Sequence, residues 1–424
     1  MNKLSFEEVK KELKFEPVEN KATAEAINIL GRDWELSEKT FKYNEMVFIT
    51  ENYVSAACDE LKMIPEAKGA IVQYLPAFKD NLALQRLLWH IHYMVFVECT
   101  VTQKDIRNWP TLTTDIFGKG LFYAVFFLSG LDYIKKLNAK RGIAYAVTID
   151  TLSDLETWMK TYKNNEESWG LYMQGWVANA FLGGLYKLGR LQFKPDPFFI
   201  DQKAYRNKKD GRVIVFPYDG QEFRKDGQYN GTDGITETAG TWKSKLEVKD
   251  GYIYGNFISP RGIATQEVKK IAAAEWEQIL QRDDLCYSVH IPATGPMDHA
   301  QCGESFRQAI EFFPKYFPEY KSKAFICDSW LFDPQLEEYL PAESNVIKFL
   351  KEFYNVPMPD AVNTVFFRVF GKDKIDLKTA PRDNSLRKAI LAHADKGGHW
   401  RDTAFVYFAQ DFKWGGQVYR KMWE

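Results

Sequence analysis

One stretch, Leu285 to Phe332, constrains the rest of the chain more than any other: LCYSVHIPATGPMDHAQCGESFRQAIEFFPKYFPEYKSKAFICDSWLF. Leu285, Tyr287, Val289 and Ile291 alternate with Cys286, Ser288 and His290, and a period of two puts the second set together on one face of a strand. Pro292 ends the strand, having no N–H for the ladder. The loop ATGPM follows. Asp298 with Gln301 three residues on then has capping-box spacing, opening a helix whose apolar face is Cys302, Phe306, Ala309, Ile310 and Phe313. Pro314 is expected to close it, and AFICDSWLF reads as a second strand. Because a helix carries the chain between them, the two strands are expected to lie parallel with a right-handed crossover. Ligands of such a βαβ unit collect at the carboxyl ends of the strands, where loop amides and a helix N-terminus meet an anion. His290, the Gly295 loop, Asp328 and Ser329 fall at that edge.

At 424 residues the chain exceeds what one core sustains, so two or three domains are expected. A net charge of −1, with both signs well mixed, removes the electrostatic case for nucleic acid or an anionic membrane as partner. Cys58, Cys99, Cys286, Cys302 and Cys327 are odd in number, widely spaced and set among apolar residues, unlike a disulfide framework or a zinc knuckle, which points to a reducing cytoplasm and no metal. Cys302 in particular belongs to an apolar helix face, as an inert core thiol would. The run GLFYAVFFLSGL at 120–131 is too short to span a bilayer and reads as a buried helix. No P-loop, dinucleotide fingerprint or tandem repeat is present.

Taken in order, residues 1–138 are helix-patterned throughout, including FEEVKKELKF, ATAEAINIL, LALQRLLWHIHYMVFVECT and the 116–136 segment. His90 and His92 within them are two apart, on different sides of a helix, and are expected in core or surface roles. A basic turn in KKLNAKRGIAYAVTID, followed by a β-rich run, marks a domain boundary near Asn138. The remainder, 139–424, divides by texture into 139–281 and 282–424. Helices are expected over SDLETWMKTYKN and WGLYMQGWVANAFLGGLYKL, then antiparallel hairpins from Arg190 to Ser259. Between these, RKDGQYNGTDGITETAG reads as a mobile loop or lid. EVKKIAAAEWEQIL reads as a helix, Asp333 and Ser344 as helix caps, AVNTVFFRVFG as a strand, RDNSLRKAILAHADKGG as a helix and TAFVYFAQ as a last strand. The whole is α+β: an all-helical N-terminal domain followed by a mixed-sheet domain.

Several strings give this order a resemblance: LGRLQF at 188–193, HIPATGP at 290–296, the QCGESF and FFPKYFP run, CDSWLFDPQLEEYLPAESNV at 327–346, and PRDNSLRKAI with GGHWR at 381–401. The chain resembles bacterial acyltransferase-domain proteins that pair a helical N-acyltransferase N-terminal domain with a GNAT-like C-terminal domain. The resemblance implies two parallel strands that splay apart, here Leu285 to Pro292 and Ala324 to Phe332. Their free amides receive the pantetheine arm of acetyl-CoA or another acyl-CoA, and the loop and following helix take the pyrophosphate. Cofactor contacts are then expected from Ile291, Ala293, Thr294, Gly295, Met297 and Ser329. The superfamily's usual pyrophosphate string, glutamine or arginine, two residues, glycine, one residue, glycine or alanine, is absent from TGPMDHAQCGES. In an N-acyltransferase of this kind an amine on a small molecule or peptide attacks the thioester. His290 is then the expected base, supported by Asp328 or Glu304, with Tyr339 as acid. The alternatives are a non-catalytic binding protein for a small molecule or peptide on the same scaffold, and a thiol hydrolase using Cys302 with His290 and Asp328.

Overall fold

A helix apolar on every side has nowhere to go but the middle of a bundle. Leu121–Ser129 is such a helix, with all nine residues buried. Phe96 stacks on its Phe126 at 5.0 Å, and Phe181 meets its Phe127 at 5.1 Å. This is the buried helix expected at 120–131, and no helix among the described residues is long and apolar enough to cross a membrane. The computed structural model describes residues 4–15, 21–110, 112, 120–361 and 364–423, so part of the expected 116–136 segment lies outside the described residues. Two compact units result, Met1–Leu188 with Pro292–Thr294, and Gly189–Ile291 with Gly295–Glu424.

In the first unit the elements from Phe6–Glu12 through Gln174–Phe181 are all helical. Asn138, the expected boundary, lies inside helix Leu131–Arg141, which Gly142 stops at a φ of 78°. The basic turn in the sequence is therefore a helix end, where Lys140 and Arg141 complement the dipole. The β-branched run that follows is helix Tyr145–Leu152, because Thr148, Ile149, Thr151 and Leu152 bury one face. His90 is a core residue, bonded to Ser37 Oγ and to the Leu30 carbonyl.

The second unit holds a sheet of β1 (Leu191–Pro197), β2 (Leu285–His290), β3 (Phe325–Ser329), β4 (Tyr354–Pro357) and β5 (Thr403–Tyr407), in the order β1-β2-β3-β5-β4. β2 and β3 are parallel, as the βαβ reading requires, and every other pairing here is antiparallel. A second, antiparallel sheet is built from Gln202–Asn207, Val213–Pro217, Leu246–Lys249, Tyr252–Ser259, Ile263–Ala272 and Trp276–Leu280. EVKKIAAAEWEQIL, expected as a helix, forms parts of the last two strands. Its alanines favour helix locally, but Ile263–Ala272 ladders along Tyr252–Ser259 from Ser259↔Ile263 to Tyr252↔Ala272, and tertiary pairing overrides propensity. AVNTVFFRVFG, expected as a strand, supplies helix Val365–Phe370, ended by Gly371 at a φ of 75°; residues 362–363 lie outside the described residues. A short apolar run carries no period that separates the two. β4 was hidden in the same way at the end of NVIKFLKEFY, of which only Asn345–Lys351 is helix, capped by Ser344 as expected.

The site helix, His299–Tyr316, crosses between β2 and β3 with Asp298 as its cap; it runs two residues past Pro314. Of the apolar face as read, Cys302, Phe306, Ala309 and Phe313 are buried and Ile310 is half-buried. Phe306 packs edge-on to Phe193 of β1 and Phe325 of β3, and Tyr287 of β2 stacks on Phe313 at 4.0 Å. Each such ring contributes roughly 1.5–3 kcal/mol by leaving water. Gly303 exists to admit Trp414, whose ring atoms stand 2.4–2.5 Å from where a Cβ would be. Gly303→Ala is expected to lever the indole off Phe306 and lower stability by about 1–3 kcal/mol, read as a lower urea midpoint at unchanged slope.

Candidate functional site

The two parallel strands stop pairing halfway. Their register holds at Tyr287↔Phe325 and Ser288↔Ile326 and goes no further. Each continues on its outer side: Val289 and His290 pair with Phe193 and Gln192 of β1, and Cys327, Asp328 and Ser329 with Phe405, Ala404 and Thr403 of β5. The carboxyl halves of β2 and β3 therefore part as a fork, held open by antiparallel ladders on both flanks. In a strand every second N–H and C=O faces each neighbour, so the parted edges present backbone groups to whatever enters.

Past the fork comes the loop expected to meet phosphate. Ala293, Thr294 and Gly295 are exposed, Ile291 and Met297 half-buried, and Gly295 takes a φ of 103°, open to glycine but strained for other residues. The N–H groups of Gly295 and Met297 meet no acceptor among the described residues. Arg190, at the head of β1, explains the loop's shape. Its Nε donates to the Pro296 carbonyl and its Nη2 to that of Gly295, both at 2.9 Å, while its own N–H is taken by Ser305 Oγ at 2.8 Å. Across a trans peptide the N–H points opposite to the C=O, so drawing the Pro296 carbonyl inward turns the Met297 N–H away from the guanidinium. Arg190 is 8% exposed and its Nη1 has no hydrogen-bond partner among the described residues. A buried cation thus lies beneath a loop of free amides, in place of the absent string. Asp298 Oδ1 accepts from Gln301 N at 2.8 Å and occupies part of the helix end.

His290 lies on the same face of β2 as Ser288, whose Oγ is 3.1 Å from its Nε2, so the period-two reading holds. Burial, and then Lys194, push its imidazole down to about 3. It is neutral and a weak base. Burial holds the Asp328 carboxyl above its ordinary range, with Asp196 raising it further and Arg368 opposing, and it lies within electrostatic reach of Asp402. Glu304 is exposed and held down to about 2 by its hydrogen bonds to Arg307, then Gln308. Tyr339 bonds His393 Nδ1 at 3.2 Å and packs on Trp400, within an aromatic cluster of its own. Ser329 Oγ accepts from Leu331 N, shaping the turn after β3. Cys302 is fully buried and burial pushes its thiol up to about 12, which weighs against the thiolate that the hydrolase alternative needs.

Two carboxyls that the sequence reading passed over stand at the end of β3. Asp402 immediately precedes Thr403, the partner of Ser329, and its N–H reaches Asp233 Oδ1 at 3.4 Å. Burial, then Asp233 and Asp328, push the Asp402 carboxyl up to about 7; burial pushes Asp233 up to about 6. Asp402 Oδ1, Asp233 Oδ2 and Thr403 Oγ1 are buried without a hydrogen-bond partner among the described residues. Asp233 belongs to the turn-rich segment expected to be a mobile lid, yet that segment is pinned. Arg224, 1% exposed, donates to the carbonyls of Thr232 and Ile235, and Thr232 Oγ1 donates to Met358 O. No group of three or more acidic, histidine or cysteine side chains able to hold a metal occurs among the described residues.

Comparison with known proteins gives this geometry its relatives. A family model described as the GNAT-like C-terminal domain matches residues 185–406, and one described as the N-acyltransferase N-terminal domain matches 53–183. No curated protein matches. Among solved structures the chain is similar to an acyltransferase in complex with decanoyl-CoA and teicoplanin, at 20% identity and a TM-score of 0.60, over 96% of this chain and 100% of that one. An acyltransferase mutant in complex with octanoyl-CoA matches at 20% identity and a TM-score of 0.60, over 96% and 99%. At such identity the likeness carries the fold alone, over 96% of this chain. With the GNAT-like model covering more than half of its residues, the chain belongs to the family that joins an N-acyltransferase N-terminal domain to a GNAT-like C-terminal domain.

Proposed function

We propose that the chain moves an acyl group from acyl-CoA to an amine of a small molecule or peptide. The fork between β2 and β3 carries this reading, since a strand-like pantetheine arm needs unpaired backbone groups inside a sheet, and only a ladder that stops early supplies them. The amides of Gly295 and Met297 above buried Arg190 are suited to the pyrophosphate. In the reaction the amine nitrogen bonds to the thioester carbonyl carbon, the carbon–sulfur bond breaks, the CoA thiolate leaves and is protonated, and the amine's proton passes to a base. Asp402, paired with Asp233, is the base best matched to neutral pH. His290, held neutral, serves as a hydrogen-bond partner rather than a proton store.

The similar structures hold octanoyl-CoA and decanoyl-CoA, so medium-chain acyl-CoAs are the first probes. Decanoyl-CoA at about 100 times its Kd is expected to stabilise the folded chain by roughly 2.7 kcal/mol, seen in a thermal melt. Release of CoA thiol is expected when an amine panel is added. Binding without thiol release from any amine would count against transfer; no shift with any acyl-CoA, beside a shift with some other ligand, would support the non-catalytic alternative.

A further inference from the structure

The helical unit has a cavity of its own, of about 560 Å³, within the range that holds a small organic ligand. Its wall is aromatic. Phe48 stacks on His92 at 4.5 Å and lies nearly parallel to Trp89, while Phe96 meets His92 edge-on. Flat rings so arranged favour a flat ring between or against them.

Two further observations say what that ring carries. Ser129 Oγ donates its single hydrogen to the Phe126 carbonyl at 2.6 Å, so at the 2.9 Å contact with His92 Nδ1 the hydroxyl can only accept. His92 is consequently the Nδ1–H tautomer. Burial pushes the imidazole down to about 4, so it is neutral and Nε2 keeps its lone pair, with no partner among the described residues. The cavity thus holds a hydrogen-bond acceptor on an otherwise apolar wall. At the rim, Asp132 is paired with Lys135 and Glu45 with Lys42, whereas Lys136 and Lys140, one helical turn apart and exposed, have no ion pair among the described residues. The unpaired rim charge is positive.

We propose that this cavity binds a hydroxylated aromatic acid, its hydroxyl donating to His92 Nε2, its ring against Phe48 and Trp89, and its carboxylate at Lys136 and Lys140. A cationic donor would satisfy the histidine but meet the lysines; a plain apolar ring would leave the lone pair unused. The inference stands on the helical unit alone, apart from the acyl-transfer reading.

The test titrates the full chain with 6-hydroxy-2-naphthoate, following Trp89 by the change in tryptophan fluorescence, beside 2-naphthoate and 2-naphthol. The hydroxy acid is expected to bind tightest, with loss of either group raising Kd about tenfold. Lys136→Ala with Lys140→Ala is expected to weaken both acids about tenfold and leave 2-naphthol unchanged, and these surface changes spare the core. His92→Phe should erase the advantage of the hydroxyl. Equal binding of the three probes, indifference to the lysine pair, or no binding at millimolar concentration would overturn the proposal.

Discussion

Replacing Asp402 with Asn is expected to cut acyl transfer by about 10²–10⁴-fold, the range in which a positioned base contributes, while making the protein more stable. The two effects have one origin. Burial and the neighbouring carboxyls of Asp233 and Asp328 raise the Asp402 carboxyl from 3.8 to about 7, so the folded chain holds a proton that the unfolded chain has released. With more protons bound when folded, stability falls as pH rises from about 4 to about 7 and stays low above that. An amide of the same shape has nothing to ionise, so at pH 8 the variant should gain on the order of 1–2 kcal/mol in a denaturant titration. Activity runs the other way. The carboxyl accepts a proton only when ionised, so kcat/KM of the natural chain should climb with pH through about 7, and the variant's residual rate should lose that limb. His290→Gln, by contrast, should lose less than tenfold and keep the limb. A larger loss for His290→Gln, with the pH limb intact in Asp402→Asn, would return the base role to the histidine.

The second large effect concerns Arg190. Arg190→Met keeps much of the stem's bulk but removes the guanidinium, leaving the Gly295 and Pro296 carbonyls without their donors and the loop free to turn its amides aside. KM for acyl-CoA is expected to rise about 10–100-fold, in line with losing two charge-assisted hydrogen bonds and the field beneath the loop, with kcat nearly unchanged. Comparing the intact co-substrate with a truncated acyl-pantetheine sharpens the result. The truncated thioester lacks the pyrophosphate, so its turnover should be indifferent to the substitution. An equal loss with both would mean that the arginine merely supports the fold.

The βαβ unit was legible from alternation, Pro292 and the Asp298 cap because each of these acts locally. The fork was not: where a ladder stops is decided by what the outer neighbours hold, and β1 and β5 lie about a hundred residues before and some seventy after the pair they brace. Arg190 stood in the LGRLQF string and Asp402 directly after GGHWR, so both were within view, but nothing in their neighbours reveals that one reaches under a loop a hundred residues on or that the other meets Asp233. Glu304 and Tyr339 show the converse. Chemistry alone suited them, and their partners, Arg307 for one and His393 for the other, turned out to satisfy them elsewhere. The helix–strand exchanges at EVKKIAAAEWEQIL and AVNTVFFRVFG share that cause, since runs without a clear period take whichever form their neighbours can complete.

The ladders flanking the fork have a kinetic corollary. A cleft whose walls are fixed by β1 and β5 needs no hydrogen bonds broken to admit a guest, so the work of separating the walls was completed during folding. Association of acyl-CoA should then rise in strict proportion to its concentration, with no plateau from a slow opening step, and stopped-flow traces should show a single phase.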